Sequence, residues 1–287
     1  MTLEPGMVAV VTGAASGIGQ AIAGEFFRRG LRVVLVDIDA HAIEATHQSW
    51  GGESGRSAAV CADLSDDRCV QQLRQEIEQA VGSPDVLCNC AGVYAASGTI
   101  WETQPADWQW VWQVNVMGLV RTLRALVPGM LRRGSSAHIV NTSSIMGFAG
   151  GASSSYSTSK HAVARITEGL YHDLMAAGAP IGVSLLSPGL VATQLMRSNR
   201  NRPDDLRGTP PSVEEMEERE TAHSYFQTHG RLPSLVAAAA VQAIERNRFF
   251  VFPGADPVPH LEARLACIRE GRAPTLVPLT LGQGRFW

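Results

Sequence analysis

A doubly wound α/β fold, one parallel sheet with helices on both faces, is predicted from three observations. Short β-rich runs alternate with helical patterns from the first residues onward. Those runs are continuously apolar, and a glycine turn stands between the first run and the first helix. Strands buried on both faces read as unbroken apolar runs, and crossover helices join them in parallel. At 287 residues the chain has room for one large domain, with or without extensions.

Met7–Val11 (MVAVV) reads as the first buried strand. The helix after it carries Ile18, Ile22 and Phe26 on one face and closes at Gly30. Further strands are expected at Arg32–Val36, Ala58–Cys61, Val86–Asn89, Ile139–Asn141 and Ile181–Leu186, with Phe249–Phe252 (FFVF) as the last. Helices are expected near Ala40–Ser49, Asp66–Val81, Pro105–Arg133 and Ser155–Ala177. Two stretches break the rhythm. Residues 194–232 are polar, with the acidic SVEEMEERE, and read as a lid inserted in a domain spanning 1–253. Residues 254–287 form a proline- and arginine-dotted extension.

Hydrophobic residues at 45% and charged residues at 18% fit a compact globular chain, and a net charge of −3 with scattered arginines supports no nucleic-acid surface. The longest apolar run, Leu235–Val241, is far short of a membrane span, and MTLEPG does not open as a signal peptide. A cytoplasmic protein without membrane partners is expected. Cys61, Cys69, Cys88, Cys90 and Cys267 lack metal-ligand spacing and read as buried, reduced thiols, so no metal is expected.

The first turn, VTGAASGIGQA, sets Gly13, Gly17 and Gly19 between strand and helix. In that position backbone N–H groups and a helix N-terminus meet where a pyrophosphate would sit, with Ser16, Gly17 and Ile18 at the point of contact. Asp37 ends the second strand, where a carboxylate accepts from an adenosine ribose and repels a 2′-phosphate. NAD rather than NADP is the cofactor expected.

Tyr156 and Lys160, in YSTSK, are four residues apart and leave one helix face. A free phenol titrates near pH 10, and a cation within about 4–6 Å lowers a pKa by roughly 1–3 units. The lysine is therefore read as making the tyrosine acidic enough to take a proton from an alcohol. Ser144 follows the fifth strand at the ligand-binding edge of such a sheet, where its hydroxyl could stabilise a developing oxyanion. No G-x-S-x-G elbow accompanies it, which argues against a serine hydrolase.

Taken together, the TG-x-x-x-G-x-G turn, NTSS and YSTSK resemble the short-chain dehydrogenase/reductase family over about residues 7–193. The resemblance implies a Rossmann-type domain and an oxidised nicotinamide whose positive charge further lowers the Tyr156 pKa, while Lys160 also grips the nicotinamide ribose. It places Asp63 and Leu64 beside the adenine and Asn89, Ala91 and Gly92 (NCAG) beside the ribose, with Cys90 where the family usually has Asn. It places Pro188, Gly189, Val191 and Thr193 around the nicotinamide. Neutral Ser16 and Ile38 stand where NADP-preferring relatives carry basic residues. Asn115 matches the asparagine that holds a water linking the lysine to solvent, with a satisfied core amide as the other reading. The family spacing leaves Ser143 open beside Ser144. It also implies a homodimer or homotetramer paired through the outer faces of the Asn115 and Tyr156 helices, whose stripes (Trp108, Val111, Trp112; Val163, Ile166, Leu170, Leu174) are otherwise core.

Candidate substrate contacts are Tyr94, Ile145, Met146, Leu190, Leu195 and Met196, with the lid as cover. A bulky apolar secondary alcohol or ketone is expected, such as a steroid, terpenoid or aryl alcohol. An NADP-dependent ketone or 3-oxoacyl reductase and a non-catalytic NAD(H)-binding regulator are the alternatives. The acidic stretch of the lid reads as a solvated face, and Arg197 and Arg200 are the cations that the lid could offer a substrate anion.

Overall fold

The computed structural model describes residues 1–52, 55–95, 98–149, 154–210, 212–281 and 284–286. Its centre is a sheet of strands Val8–Thr12 (β1), Arg32–Asp37 (β2), Ser57–Cys61 (β3), Val86–Asn89 (β4), Ala137–Thr142 (β5), Ile181–Leu186 (β6) and Phe250–Val251 (β7). Their order is β3-β2-β1-β4-β5-β6-β7, and every neighbouring pair is parallel. All five residues of β1 are buried, as the unbroken apolar run requires.

Side chains alternate across the sheet and build two cores. Ala9 and Val11 pack with Ile22 and Phe26 of Gly17–Arg28 (α1), Ile43 of Ala40–Ser49 (α2), and Val236, Ala240 and Ile244 of Pro233–Glu245 (α8). Val10 and Ile139 face Leu73 and Ile77 of Asp67–Ala80 (α3), Leu123 and Leu126 of Gly118–Arg133 (α5), and Val163 and Leu174 of Ser155–Ala176 (α6). Each fully buried Ile, Leu or Phe contributes about 1.5–3 kcal/mol. Side-chain caps start three of these sheet-flanking helices. Asp39 accepts from the Ala42 N–H (3.0 Å), Asp66 from the Arg68 N–H (2.6 Å), and Ser154 and Ser157 form a reciprocal capping box.

The structure departs from the expectations in places and adds detail in others. The helix expected over 105–133 is Pro105–Trp112 (α4), then a wide π turn at Gln113–Met117, then α5. The buried stripe of α4 runs through Asp107, Trp110 and Val111; of the expected stripe Val111 is interior, while Trp112 is exposed and Trp110 takes its place in the core. The run 105–133 is long and apolar enough to cross a membrane by length and composition, a feature that the sequence reading passed over. Here 61% of its most apolar window is buried inside the protein, and it packs as a core helix. The lid is two short 3₁₀ stretches, Leu195–Asn201 and Asp204–Leu206, followed by Val213–His229 (α7), opened by a Ser212–Glu215 capping box. The extension contains Val258–Glu270 (α9) and an antiparallel pair, Leu279–Leu281 (β8) with Gly284–Phe286 (β9). Finally, Cys61 is exposed at the end of the edge strand β3 rather than buried; all five cysteines are free.

Candidate active site

At β1 the sheet order reverses, since β2 lies on one side and β4 on the other. Loops leaving these strands diverge and leave a crevice at their carboxyl ends, where open α/β sheets bind ligands. The first turn fits that role. Gly13 (φ 68°) and Gly17 (φ 59°) take left-handed backbone, and a Cβ on Gly13 would come within 2.7 Å of the Ala91 nitrogen. A Cβ on Gly19 would collide with the Gly13 carbonyl. Ser16 precedes α1 without capping it, and no acidic residue lies in its first turn, so the helix start keeps its N–H groups for an anion. The Thr12 hydroxyl accepts from the Cys90 and Ala91 N–H groups (3.1 and 3.3 Å), fastening the loop after β4 to β1.

One cavity of about 580 Å³ runs from this turn to the lid, and its nucleotide end is lined by Gly13, Ser16, Gly17, Ile18, Gly19, Asp37, Ile38, Asp63, Leu64, Ala91 and Gly92. Asp37 accepts from the Ala15 N–H (3.0 Å) and the Asp39 N–H (3.1 Å), which orients its carboxylate. Asp63 accepts from the Ser65 N–H (2.8 Å). Pro188, Gly189, Val191 and Thr193 line the same cavity farther along, and Thr193 Cγ2 is the nearest atom to a Cβ built on Gly17. Asn89 is the exception. Its amide points between the strands and donates to Asn141 (2.8 Å), which donates to Thr167 (3.1 Å). It does not line the crevice, because parallel pairing places Asn89 opposite Asn141.

Tyr156, Lys160 and Ser144 come together at the middle of the cavity. The Lys160 Nζ lies 5.6 Å from the Tyr156 ring centre and donates to the Thr142 carbonyl at 3.0 Å. Ser144 is hydrogen-bonded to the Tyr156 phenol and accepts from the Met146 N–H (3.2 Å). Ser143 donates instead to the Lys160 carbonyl (2.8 Å), so its hydroxyl ties β5 to α6. Of the two serines, Ser144 faces the phenol. Asn115, in the π turn, accepts from the Val93 N–H (2.8 Å) and donates to the Val93 carbonyl and the Ser159 hydroxyl (3.0 Å each). These contacts fit the satisfied core amide. The amide is satisfied by protein, and it also borders a cavity of about 10 Å³, room for one water, together with Thr12, Asn89 and Thr142.

Burial governs the Tyr156 phenol within the protein itself. The protein's own groups push the Tyr156 pKa up to about 12: burial raises it, the Ser144 hydrogen bond opposes, and Tyr94 raises it further. Part of the ring still faces the open cleft, so the direction carries the argument. Burial also pushes Lys160 down to about 8, with the neighbouring Cys90 thiol opposing. Cys90 itself is driven up to about 11 by burial, against the Thr142 hydrogen bond and Lys160. Burial is thus the largest influence on all three groups.

The remaining wall is mostly apolar. Tyr94, Ile145, Met146, Leu190, Leu195 and Met196 line it as expected, and the Tyr94 and Tyr156 rings lie 5.5 Å apart. Sequence reading missed Trp110 and Val114 from the α4 and π-turn region, and Glu215, Glu218, Arg219, Ala222 and Phe226 from α7. The acidic stretch expected to face only solvent therefore also lines the cavity. A buried ion pair, Arg202 to Asp107 at 2.5 Å, fixes the lid to α4, with the guanidinium over Trp110 at 5.0 Å.

The chain is similar to known proteins over most of its length. The family model for short chain dehydrogenase matches residues 7–204. A 1-deoxy-11-beta-hydroxypentalenate dehydrogenase of Streptomyces exfoliatus is 39% identical over 191 residues, 66% of this chain and 69% of that protein. A C alpha-dehydrogenase of Sphingobium sp. is 32% identical over 269 residues, covering 93% of this chain and 87% of its own. Among solved structures, a short chain dehydrogenase/reductase from Burkholderia phymatum in complex with NAD superposes with a TM-score of 0.90. It is 36% identical and covers 98% of this chain and all (100%) of its own.

Proposed function

This chain belongs to the short-chain dehydrogenase family of oxidoreductases, and we propose that it is an NAD-dependent dehydrogenase moving a hydride between a bulky secondary alcohol, or its ketone, and the nicotinamide. The observation that carries the reading is the single cavity joining the glycine turn and Asp37 to Tyr156, Ser144 and Lys160. The residues present fit a dinucleotide. The crowded glycines leave backbone where a pyrophosphate lies, and the start of α1 is uncapped. Asp37, held by two backbone N–H groups, would accept from the adenosine ribose and repel a 2′-phosphate. A similar protein bound to NAD supports the same choice.

In alcohol oxidation, Ser144 would hold the substrate oxygen beside the phenol, and deprotonated Tyr156 would take the hydroxyl proton as the carbinol carbon gives up its hydride. Reduction reverses both transfers. When bound, oxidised nicotinamide supplies the hydride acceptor and a positive charge that draws the phenol down from about 12. Lys160, fixed on the Thr142 carbonyl, keeps its charge below about pH 8 and would hold the nicotinamide ribose. Asn115 would order the Val93 segment beside Gly92. The apolar wall suits a terpenoid, steroid or aryl alcohol, and the name of the hydroxypentalenate dehydrogenase supports the terpenoid class. Exposed Trp112, Leu131, Tyr171 and Met175 on α4 to α6 support pairing of subunits through these helices.

The test is a screen of secondary alcohols, following absorbance of the reduced cofactor with NAD or NADP. We expect NAD-dependent turnover of bulky apolar alcohols, and Asp37→Ala to reduce discrimination against NADP by about 10–100-fold, the worth of one or two charge-assisted contacts. A wild-type preference for NADP would contradict the cofactor assignment.

A further inference from the structure

The lid places charges on the cavity wall, and their partners separate them. Arg197 is engaged by Glu220 (3.2 and 2.6 Å), Arg202 by Asp107 (2.5 Å), and Arg207 by Asp204 (3.1 Å). Arg200 lines the cavity and donates to the Gln194 and Arg197 carbonyls (3.3 and 3.2 Å), with no ion pair among the described residues. Arg219 also lines the cavity and is half-buried. It has neither hydrogen bond nor ion pair among the described residues. The two carboxylates on this wall are differently placed. Glu215 is tied into the capping box, accepting from the Ser212 N–H at 2.6 Å, and Glu218 is exposed.

A guanidinium removed from part of its water without a partner is costly until an anion reaches it. Its planar fork matches a carboxylate better than any neutral group. The less exposed, uncommitted charge on this wall is therefore positive, and the exposed carboxylate is screened by water. The geometry points to a carboxylate subsite on the lid: Arg219, with Arg200 also on the cavity wall, receives a carboxylate carried on the apolar substrate away from its reacting carbon. The natural substrate class is then a bulky hydroxy acid or oxo acid. This rests on the oxidoreductase reading above, with Tyr156 as the proton-transfer end.

Matched probes test it. 4′-(1-Hydroxyethyl)biphenyl-4-carboxylate, its methyl ester and the 4-aminomethyl analogue differ only at the remote group, with 1-(biphenyl-4-yl)ethanol as the unsubstituted control. kcat/KM with NAD is measured for each, and binding to the NADH-loaded protein is measured by calorimetry, so that an answer is obtained even for a probe that is not turned over. The acid is expected to exceed the ester by about 10–100-fold in kcat/KM or affinity, the range for charge-assisted hydrogen bonds. Arg219→Met should erase that ratio, Arg219→Lys should restore part of it, and Arg207→Gln, on the same lid but paired elsewhere, should keep it. Equal acid and ester values in both measurements, a preference for the amine, or an unchanged ratio in Arg219→Met would overturn the inference. Loss of all turnover with the binding ratio intact would instead count against the oxidoreductase reading and leave the subsite standing.

Discussion

Acid should destabilise this protein through His138 well before its carboxylates are neutralised. The residue sits on β5, between β4 and β6, and is 1% exposed. Its partner Ser184 donates to the Arg248 carbonyl (2.7 Å), so the hydroxyl accepts from the His138 Nε2–H at 2.8 Å, which fixes the tautomer of the neutral ring. Burial first, and the chain's amino terminus second, push its pKa down from 6.5 to about 4. The sign follows from proton binding. Between those two values the unfolded chain binds a proton that the folded chain refuses, so stability is full above about pH 6.5 and falls as pH falls. The loss reaches about 2 kcal/mol at pH 5 and about 3 kcal/mol below pH 4. Urea unfolding at pH 7.5, 6, 5 and 4.5 reads this directly. His138→Gln, whatever it costs at pH 7.5, should flatten the decline. His260, also pushed down by burial, adds to the same window, and its own Gln variant separates it. A His138→Gln protein that loses stability with the wild-type slope would refute the assignment.

Two further outcomes follow from the site. Asp107→Asn strands a buried guanidinium and should lower stability by about 3–5 kcal/mol in denaturant titration; because Arg202 fixes the lid, KM for bulky alcohols should rise more than kcat falls. Ser144→Ala should reduce kcat by about 10²–10³-fold, as loss of one oxyanion donor does. Ser143→Ala, whose hydroxyl serves the Lys160 carbonyl, should lower thermal stability more than Ser144→Ala does.

The strands and the glycine turn were legible because unbroken apolar runs and left-handed backbone each leave a residue-level mark, as at Val8–Thr12 and at Gly13 and Gly17. Tyr156 and Lys160 were legible because helical spacing sets them on one face and the upstream glycine turn and NTSS accompany them. What escaped was fixed by other parts of the chain. Nothing local distinguishes 3.6 residues per turn from the wider turn at Gln113–Met117, so the stripe was placed on Trp108 and Trp112 instead of Trp110. Asn89 looked like a crevice residue until register set it against Asn141. The pKa of Tyr156 depends on how much water the fold removes, which spacing to Lys160 cannot reveal. Arg219 sits in an acidic run whose inward side is decided by where α7 crosses the cavity.

Replacing the Tyr156 hydroxyl tests the central claim most directly. Tyr156→Phe keeps the ring beside Tyr94 and Lys160 but removes the only group assigned to exchange a proton with the substrate oxygen. Steady-state turnover of the best alcohol, paired with NADH fluorescence titration, should show kcat down by at least about 10²–10⁴-fold and NADH affinity within about twofold of wild type. Turnover persisting within tenfold of wild type, with the cofactor still bound, would contradict the account.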